Sequence, residues 1–169
     1  MSVEGVEGES GEGDLSSSAG VAADPSFEEL FEAEHVAMVR LAYLLVGSEA
    51  VAEEVVQDAF VSVFERRDRI DNPGGYLRRC VVNGARRVQR RRVMERRRPL
   101  PAPDAVDPDA RELLDALAEL PYRWRAVVVL RFYEGLSQQE IADALDMRLG
   151  TVKSSLHRGL AELRTVVER

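Results

Sequence analysis

Residues 85–98, ARRVQRRRVMERRR, hold eight arginines and one acid. Guanidinium groups bind phosphate well, because each presents several N–H donors in a planar fork. Charge runs of this kind are usually solvated helix faces or basic tails. These arginines, however, continue a segment with apolar residues at helical spacing, so a folded domain should hold them on its surface. We interpret the stretch as a phosphate-tracking surface.

The basic stretch is a local feature of an acidic chain. The 169 residues carry a formal net charge of −7. Residues 1–65 contain 15 acids and one base, residues 66–98 contain 13 bases and three acids, and residues 99–169 contain nine bases and 12 acids. This asymmetry indicates contact with a polyanion, most often nucleic acid.

Composition argues against several other classes of protein. Cys80 is the single cysteine, so an internal disulfide is excluded and a cytoplasmic location is expected. With only two distant histidines besides, His and Cys cannot form a metal cluster, and we expect no metal and no cofactor. No apolar run approaches about 18 residues, and the N-terminus lacks a signal-peptide pattern. We therefore expect no membrane insertion.

Composition also divides the chain into four segments. Residues 1–25 are rich in Gly, Ser and Glu and are predicted to be a disordered acidic tail. Residues 26–94 and 109–169 show helical periodicity, and residues 95–108 contain four of the seven prolines. No strand candidate is evident. The sequence predicts an all-α fold of two small helical domains, joined by a Pro-rich flexible linker.

Three helices are predicted in the first domain. Ser26 and Glu29 form a capping box before the first helix, Gly47 can end it, and Ser48 can cap the second. Pro73, in an Asn-Pro-Gly-Gly loop, suits the first turn of the third. The three predicted apolar stripes are Phe27, Leu30, Phe31, Met38, Leu41 and Leu45; Ala52, Val55, Val56, Ala59, Phe60, Val63 and Phe64; and Tyr76, Leu77, Cys80, Val81, Gly84 and Val88.

Four helices are predicted in the second domain. Asp107 should cap a helix that begins at Pro108, and Pro121 should begin another that ends at Gly135. A capping box at Ser137 opens a short helix to Leu145, which a four-residue turn joins to a final helix. Two helices linked in this way are typical of a helix-turn-helix. The residues expected to face inward are Leu113, Leu117, Leu120, Val127, Val128, Phe132, Val152, Leu156, Leu160 and Leu163.

The outer face of the final helix carries short or cationic donors. Such side chains can hydrogen-bond base edges and phosphates in a major groove. They are Thr151, Lys153, Ser154, Ser155, His157 and Arg158.

Residues 27–169 resemble the extracytoplasmic-function (ECF) group of bacterial RNA polymerase sigma factors. AEEVVQDAFVSVFERRDRI is similar to the family's polymerase-binding helix, and NPGGYLRRCVVNGARRVQRRR to its −10 element helix. The segment from Leu120 to Arg164 is similar to its −35 domain nearly throughout. The resemblance implies a non-enzymatic transcription initiation factor that binds core RNA polymerase and promoter DNA, with an anti-sigma factor as a further partner and no small-molecule substrate.

The resemblance also implies residue roles. The polymerase-binding set is Glu53, Glu54, Gln57, Asp58 and Val61. The −10 set is Asp71, Asn72, Tyr76, Asn83, Arg86, Arg87, Arg90 and Arg91, in which the loop from Asp71 to Tyr76 and Asn83 would form a pocket for a flipped base. The −35 set is Arg148, Gly150, Thr151, Lys153, Ser154, His157 and Arg158.

Two departures from the family bear on the −35 set. Arg148 stands where a small N-cap residue is usual, and Ser155 stands where an arginine is usual.

Two other functions remain as alternatives. A conventional helix-turn-helix regulator would not use the first domain, and a metal-dependent nuclease would need convergent carboxylates that the spread of acids does not suggest.

Overall fold

The structure, a computed structural model, describes residues 26–95 and 108–167. Within these ranges the chain forms seven α-helices, a single 3-10 turn at Arg67–Arg69 and no strand, so the predicted all-α class is confirmed. The helices are α1 (Phe27–Val46), α2 (Glu49–Arg66), α3 (Pro73–Met94), α4 (Pro108–Glu119), α5 (Tyr122–Phe132), α6 (Gln138–Leu145) and α7 (Leu149–Val167). The predicted tail, the predicted cap Asp107 and most of the predicted linker lie outside the described residues.

Local sequence signals set most helix boundaries. At α1, the Glu29 amide donates to the Ser26 hydroxyl at 3.2 Å, and the Ser26 amide donates to the Glu29 carboxylate at 2.8 Å. Gly47 ends this helix with φ 70°, a left-handed conformation that glycine adopts without strain. The capping box at Ser137 opens α6 in the same way. Ser48 does precede α2, but its side chain makes no capping hydrogen bond, so that prediction is wrong in part.

Helices α1, α2 and α3 pack together as the N-lobe. Its core includes Met38, Leu41, Leu45, Val56, Val63, Leu77 and Val81. A Cβ on Gly84 would lie 2.9 Å from a methyl group of Val55, so α3 approaches α2 closely at this glycine. Phe31 and Phe64, predicted to be buried, are 41% and 48% exposed. Phe31 packs against Phe60 and His35, and Phe64 against Phe27, so both rings lie at the partly exposed edge of the α1–α2 pair.

Helices α4 to α7 form the C-lobe around Leu117, Leu120, Val127, Leu130 and Ile141. Leu113 and Phe132 were predicted to face inward, yet they are 50% and 64% exposed. Helical spacing alone therefore misplaces both side chains. Helix α5 ends at Phe132 rather than at Gly135, and three residues rather than four separate α6 from α7.

The two lobes contact each other directly. Helix α5 packs against α1 and α3, α6 packs against α3, and buried side chains form one continuous cluster across both lobes. This contact widens the buried face of α3 beyond its predicted stripe, since Val82 and Ala85 are also buried. None of the helices in the described ranges combines the length and the apolar character needed to cross a membrane.

Candidate nucleic-acid interface

Helix α7 turns its small residues inward. Val152, Ser155 and Gly159 are buried, and a Cβ on Gly159 would lie 2.8 Å from a methyl group of Val128 in α5. Ser155 is only 2% exposed, so its predicted place on the outer face is wrong. Ser155 lies one turn before Gly159, so it shares the side of α7 that packs against the rest of the C-lobe. Leu160, predicted inside, is only partly buried.

The opposite face of α7 is open to solvent. Gly150, Lys153, Ser154, His157 and Arg158 are all exposed. At the start of the helix, the Arg148 carbonyl accepts from the Thr151 amide at 2.9 Å and the Val152 amide at 3.1 Å. The turn backbone thus supports the first turn of α7, although no small N-cap residue stands at Arg148. This face can present two cations and two hydrogen-bonding side chains to a groove.

The arginines of α3 lie on two different sides of the helix. Arg86 and Arg90 line a cleft of about 830 Å³ between the lobes, opposite Arg148 and Thr151. Arg87 and Arg91 instead line a groove of about 410 Å³ between α2 and α3. Residues one position apart on a helix differ by about 100° in direction, which accounts for the split.

The groove between α2 and α3 also contains part of the predicted polymerase-binding set. Glu54 and Asp58 line it opposite Arg87 and Arg91. Gln57 and Val61 are exposed, and Glu53 is partly buried beside His35, whose Nε2 lies 3.5 Å from the carboxylate. The acidic face of α2 and the arginines of α3 therefore border one surface, which the sequence did not predict.

A second cleft, of about 870 Å³, surrounds the loop before α3 and contains Asp71, Asn72 and Tyr76. The side-chain carbonyl oxygen of Asn72 accepts a hydrogen bond from the Gly75 amide at 2.9 Å, so Asn72 caps α3. A Cβ on Gly75 would lie 2.9 Å from the Asn72 amide nitrogen, so this cap requires glycine. Asn83 is half-buried and does not line this cleft; it lies two turns further along the same face of α3.

The C-lobe supplies the opposite wall of this second cleft. Arg78 Nε donates to a Glu134 carboxylate oxygen at 2.6 Å, and Glu140 and Asp143 line the cleft from α6. Hydrogen bonds from Ser137, with a smaller effect from Arg78, hold the pKa of Glu140 below its usual value. The C-lobe wall thus carries carboxylates, while the N-lobe wall carries guanidinium groups together with the Asp71 carboxylate.

Arg125 is a buried cation that the sequence analysis missed. It is 4% exposed and donates to the carbonyls of Leu45 at 2.7 Å, Ala118 at 2.8 Å and Leu120 at 3.0 Å. Burial lowers its pKa, with a further small effect from Arg92. A signal was present, because Arg125 directly precedes the apolar run from Ala126 to Leu130 in YRWRAVVVL. Its carbonyl partners, however, depend on how the lobes meet.

Arg92 reinforces the same end of α1. Its guanidinium donates to the Val46 carbonyl at 2.5 Å, and burial lowers its pKa. Helix α1 has no basic residue in its own last turn, so cations from α3 and α5 interact with its C-terminal carbonyls instead. Arg92 therefore has a structural role that distinguishes it from the other α3 arginines. Among the residues that the structure describes, no cluster of His, Cys, Asp or Glu could hold a metal ion.

Two family models match the chain. Residues 30–94 match Sigma-70 region 2, and residues 110–163 match Sigma-70 region 4. The RNA polymerase sigma-E factor of Streptomyces avermitilis is 38% identical over 152 residues, which cover 84% of this chain and 85% of that protein. The ECF RNA polymerase sigma factor SigL of Mycobacterium tuberculosis is 30% identical over 167 residues, covering 89% and 94%.

A solved structure shares the fold. The sigma factor RpoE of Bartonella quintana, in complex with the anti-sigma factor NepR, superposes with a TM-score of 0.73 at 21% identity. The match covers 84% of this chain and 96% of that one. The chain belongs to the ECF group of RNA polymerase sigma factors, which recognise promoters and initiate transcription.

Proposed function

We propose that this sigma factor uses three exposed surfaces in turn: the acidic face of α2 for core RNA polymerase, α3 with its preceding loop for the −10 element, and α7 for the −35 element. One observation carries the assignment. Two cationic helix faces, on α3 and α7, belong to different lobes, and a separate acidic face lies on α2. A stand-alone DNA-binding domain would need neither the second cationic face nor the acidic one.

Docking would use the exposed side of α2. Glu54, Gln57 and Asp58 project from a helix whose other side is fixed by Val55, Val56 and Phe60 in the N-lobe core. Acids held on a rigid helix lose little conformational freedom on binding, and a basic partner surface would complement them. Val61, 56% exposed beside them, adds apolar area to the same face.

Opening the −10 element requires a base to leave the stack, at a cost of a few kcal/mol. The cleft around Asp71, Asn72 and Tyr76 would receive that base, with the Tyr76 ring available for stacking. Because the side-chain oxygen of Asn72 already caps α3, its amide group is the part left to donate to a base. The arginines of α3 would hold the phosphates beside the melted segment, and Asn83 would contact a base further along.

Reading of the −35 element would use the outer face of α7 in a major groove. Arg158 and Lys153 can contact base edges or phosphates, while Ser154 and His157 supply shorter hydrogen-bonding groups. Arg148 and Thr151, at the start of the helix, lie closer to the cleft between the lobes than to this outer face. We assign them phosphate contacts at the edge of the site.

This function needs no catalytic site, and we place it in the cytoplasm, where RNA polymerase acts. We further propose an anti-sigma partner, by analogy with the relative solved in complex with one. The test is run-off transcription from genomic DNA with purified core polymerase, read by sequencing. Start sites that share −10 and −35 sequences and depend on this chain are expected. If core polymerase initiates identically without the chain, the proposal is wrong.

A further inference from the structure

Four exposed arginines lie near the start of α1 and the start of α3. We call them the arginine cluster: Arg66, Arg67, Arg69 and Arg79. Ser26, the first described residue, lines a cleft of about 570 Å³ together with Arg67 and Arg69. Arg69 also lines the neighbouring cleft around the loop before α3, where Arg66 and Arg79 lie. The cluster is therefore one cationic surface that adjoins the point where the described N-lobe begins.

Most of the cluster has no ionic partner. The Arg67 guanidinium donates to the Phe64 carbonyl at 2.7 Å, and its Cζ lies 4.3 Å from the centroid of the Phe64 ring. Among the described residues, none forms an ion pair or a hydrogen bond with the side chains of the other three members. The two carboxylates nearby, Asp68 and Asp71, offset only part of the charge. The surface is thus open to an anionic partner.

The residues that precede Ser26 have the complementary charge. Residues 1–25 contain six acids and no lysine or arginine, and they lie outside the described residues. Asp24 is two positions before Ser26, and Glu12 is fourteen positions before it, which allows a reach of up to about 50 Å. Because Ser26 and Arg69 line the same cleft, several of these acids can reach the cluster. A tether of this length gives the attached acids an effective concentration in the millimolar range.

We propose that the arginine cluster binds the acidic residues 1–25 of the same chain, so that nucleic-acid phosphates must compete with these carboxylates for the guanidinium groups. Carboxylates and phosphates both accept charge-assisted hydrogen bonds from guanidinium. The acidic face of α2 cannot take this place, because Glu54 and Asp58 line a different groove. The interaction joins the N-lobe to the residues before it and does not depend on the C-lobe. It rests on the proposed function only in that the cluster adjoins the loop assigned to the −10 element.

The contact can be measured on the full chain by paramagnetic relaxation enhancement. A nitroxide label is attached at position 10 through Ser10→Cys, in a background in which Cys80→Ser removes the single native thiol. Line broadening is read at the backbone amides, with the reduced label as the reference. Residues 66–79 should broaden, whereas the outer face of α7 should not. In about 1 M NaCl, where the Debye length is about 3 Å, the broadening should be lost.

Two double variants show whether the cluster holds the label in place. Arg66→Gln/Arg69→Gln should remove most of the broadening at residues 66–79, because two of the unpaired charges are gone. Arg40→Gln/Arg164→Gln replaces two exposed arginines of α1 and α7 and should leave the broadening intact. An amide spectrum with wild-type dispersion confirms that each variant is folded.

Competition is measured as affinity for a labelled single-stranded oligonucleotide of mixed sequence, by fluorescence anisotropy. Glu7→Gln/Glu9→Gln/Glu12→Gln should bind it about three- to fivefold more tightly than the wild type, the size expected when a few exposed ion pairs no longer compete. A control with the same change of net charge replaces three exposed glutamates of the C-lobe by glutamine. These are Glu112, Glu119 and Glu162, and the affinity of this control should change little.

Broadening that is equal at residues 66–79 and on α7, or that survives Arg66→Gln/Arg69→Gln, would overturn the inference. Equal oligonucleotide affinities in the two glutamate variants would overturn it as well, since any gain would then follow net charge alone. Neither measurement involves polymerase or a promoter. Failure of the proposed function would instead appear as loss of promoter-specific initiation with core polymerase.

Discussion

Helices α3 and α7 both carry cationic polar faces, and they differ in what lies opposite those faces. The outer face of α7 meets only solvent, whereas the arginines of α3 are divided between a groove shared with α2 and a cleft shared with the C-lobe. On the proposed assignment, the α7 face therefore needs no rearrangement to bind DNA. The α3 face is shared with its neighbours, so on the proposed assignment its use in opening DNA can be coupled to polymerase docking on α2.

The largest effect is expected at the cleft side of α3. Arg86→Ala/Arg90→Ala should reduce the free energy of binding to −10 DNA by about 3 kcal/mol, since each charge-assisted hydrogen bond to a phosphate contributes about 1.5–3 kcal/mol. Open-complex formation should fall, measured as lost permanganate reactivity of −10 thymines. A template already melted across the −10 element should restore much of the activity. Full reactivity in the double variant would show that these two arginines form only a solvated face.

Reversing charge on α2 should have the next largest effect. Glu54→Lys/Asp58→Lys should weaken binding to core polymerase by about 2 kcal/mol, because the partner surface would then face like charges. Helicity should be unchanged, since both residues are exposed. Fluorescence anisotropy with labelled chain measures the affinity.

Arg87→Ala/Arg91→Ala is the matched control for this prediction, because those arginines line the same groove. If they serve DNA alone, they should leave core affinity intact while reducing promoter opening. Wild-type core affinity in the α2 double variant would remove the acidic face from the docking surface.

The features that the sequence predicted correctly depend on residues that lie close together along the chain. Both capping boxes and the glycine stop of α1 are local hydrogen-bond or backbone requirements, and the structure confirms them. The helix-turn-helix followed from spacing for the same reason. Most residue roles came from the family resemblance, and they stay predictions.

The failures concern burial, which depends on distant elements. Phe31 and Phe132 have helical spacing yet are exposed, whereas Ser155, on the polar face by spacing, is buried. The division of the α3 arginines and the carbonyl partners of Arg125 both follow from the way helices from separate parts of the chain meet. No pattern within one helix encodes such contacts.

A smaller effect is expected on α7 itself. Arg158→Ala should cost about 1.5 kcal/mol of −35 affinity if the guanidinium reads a base in a bidentate manner, and sequence preference should relax at one position. If it contacts only phosphate, affinity should fall evenly on all sequences and the salt dependence should become shallower. Wild-type affinity with wild-type preference would remove Arg158 from the site.

The smallest effect, and the sharpest test of which side of α7 faces DNA, comes from two adjacent serines. Ser154 is exposed on the outer face, where its hydroxyl donates to the Thr151 carbonyl at 3.1 Å, and Ser155 is buried. Ser154→Ala should lower −35 affinity by about 0.5–1 kcal/mol through loss of one neutral hydrogen bond to DNA. Ser155→Ala should leave −35 affinity unchanged, because the side chain is buried away from the outer face and alanine is no larger than serine. Thermal unfolding of both variants provides the control, and the melting temperature of either should shift by no more than a few degrees.

The opposite result would be weaker DNA binding in Ser155→Ala and unchanged binding in Ser154→Ala. It would mean that α7 enters the groove with the face that is buried in this structure. The contrast between α3 and α7 would then no longer hold.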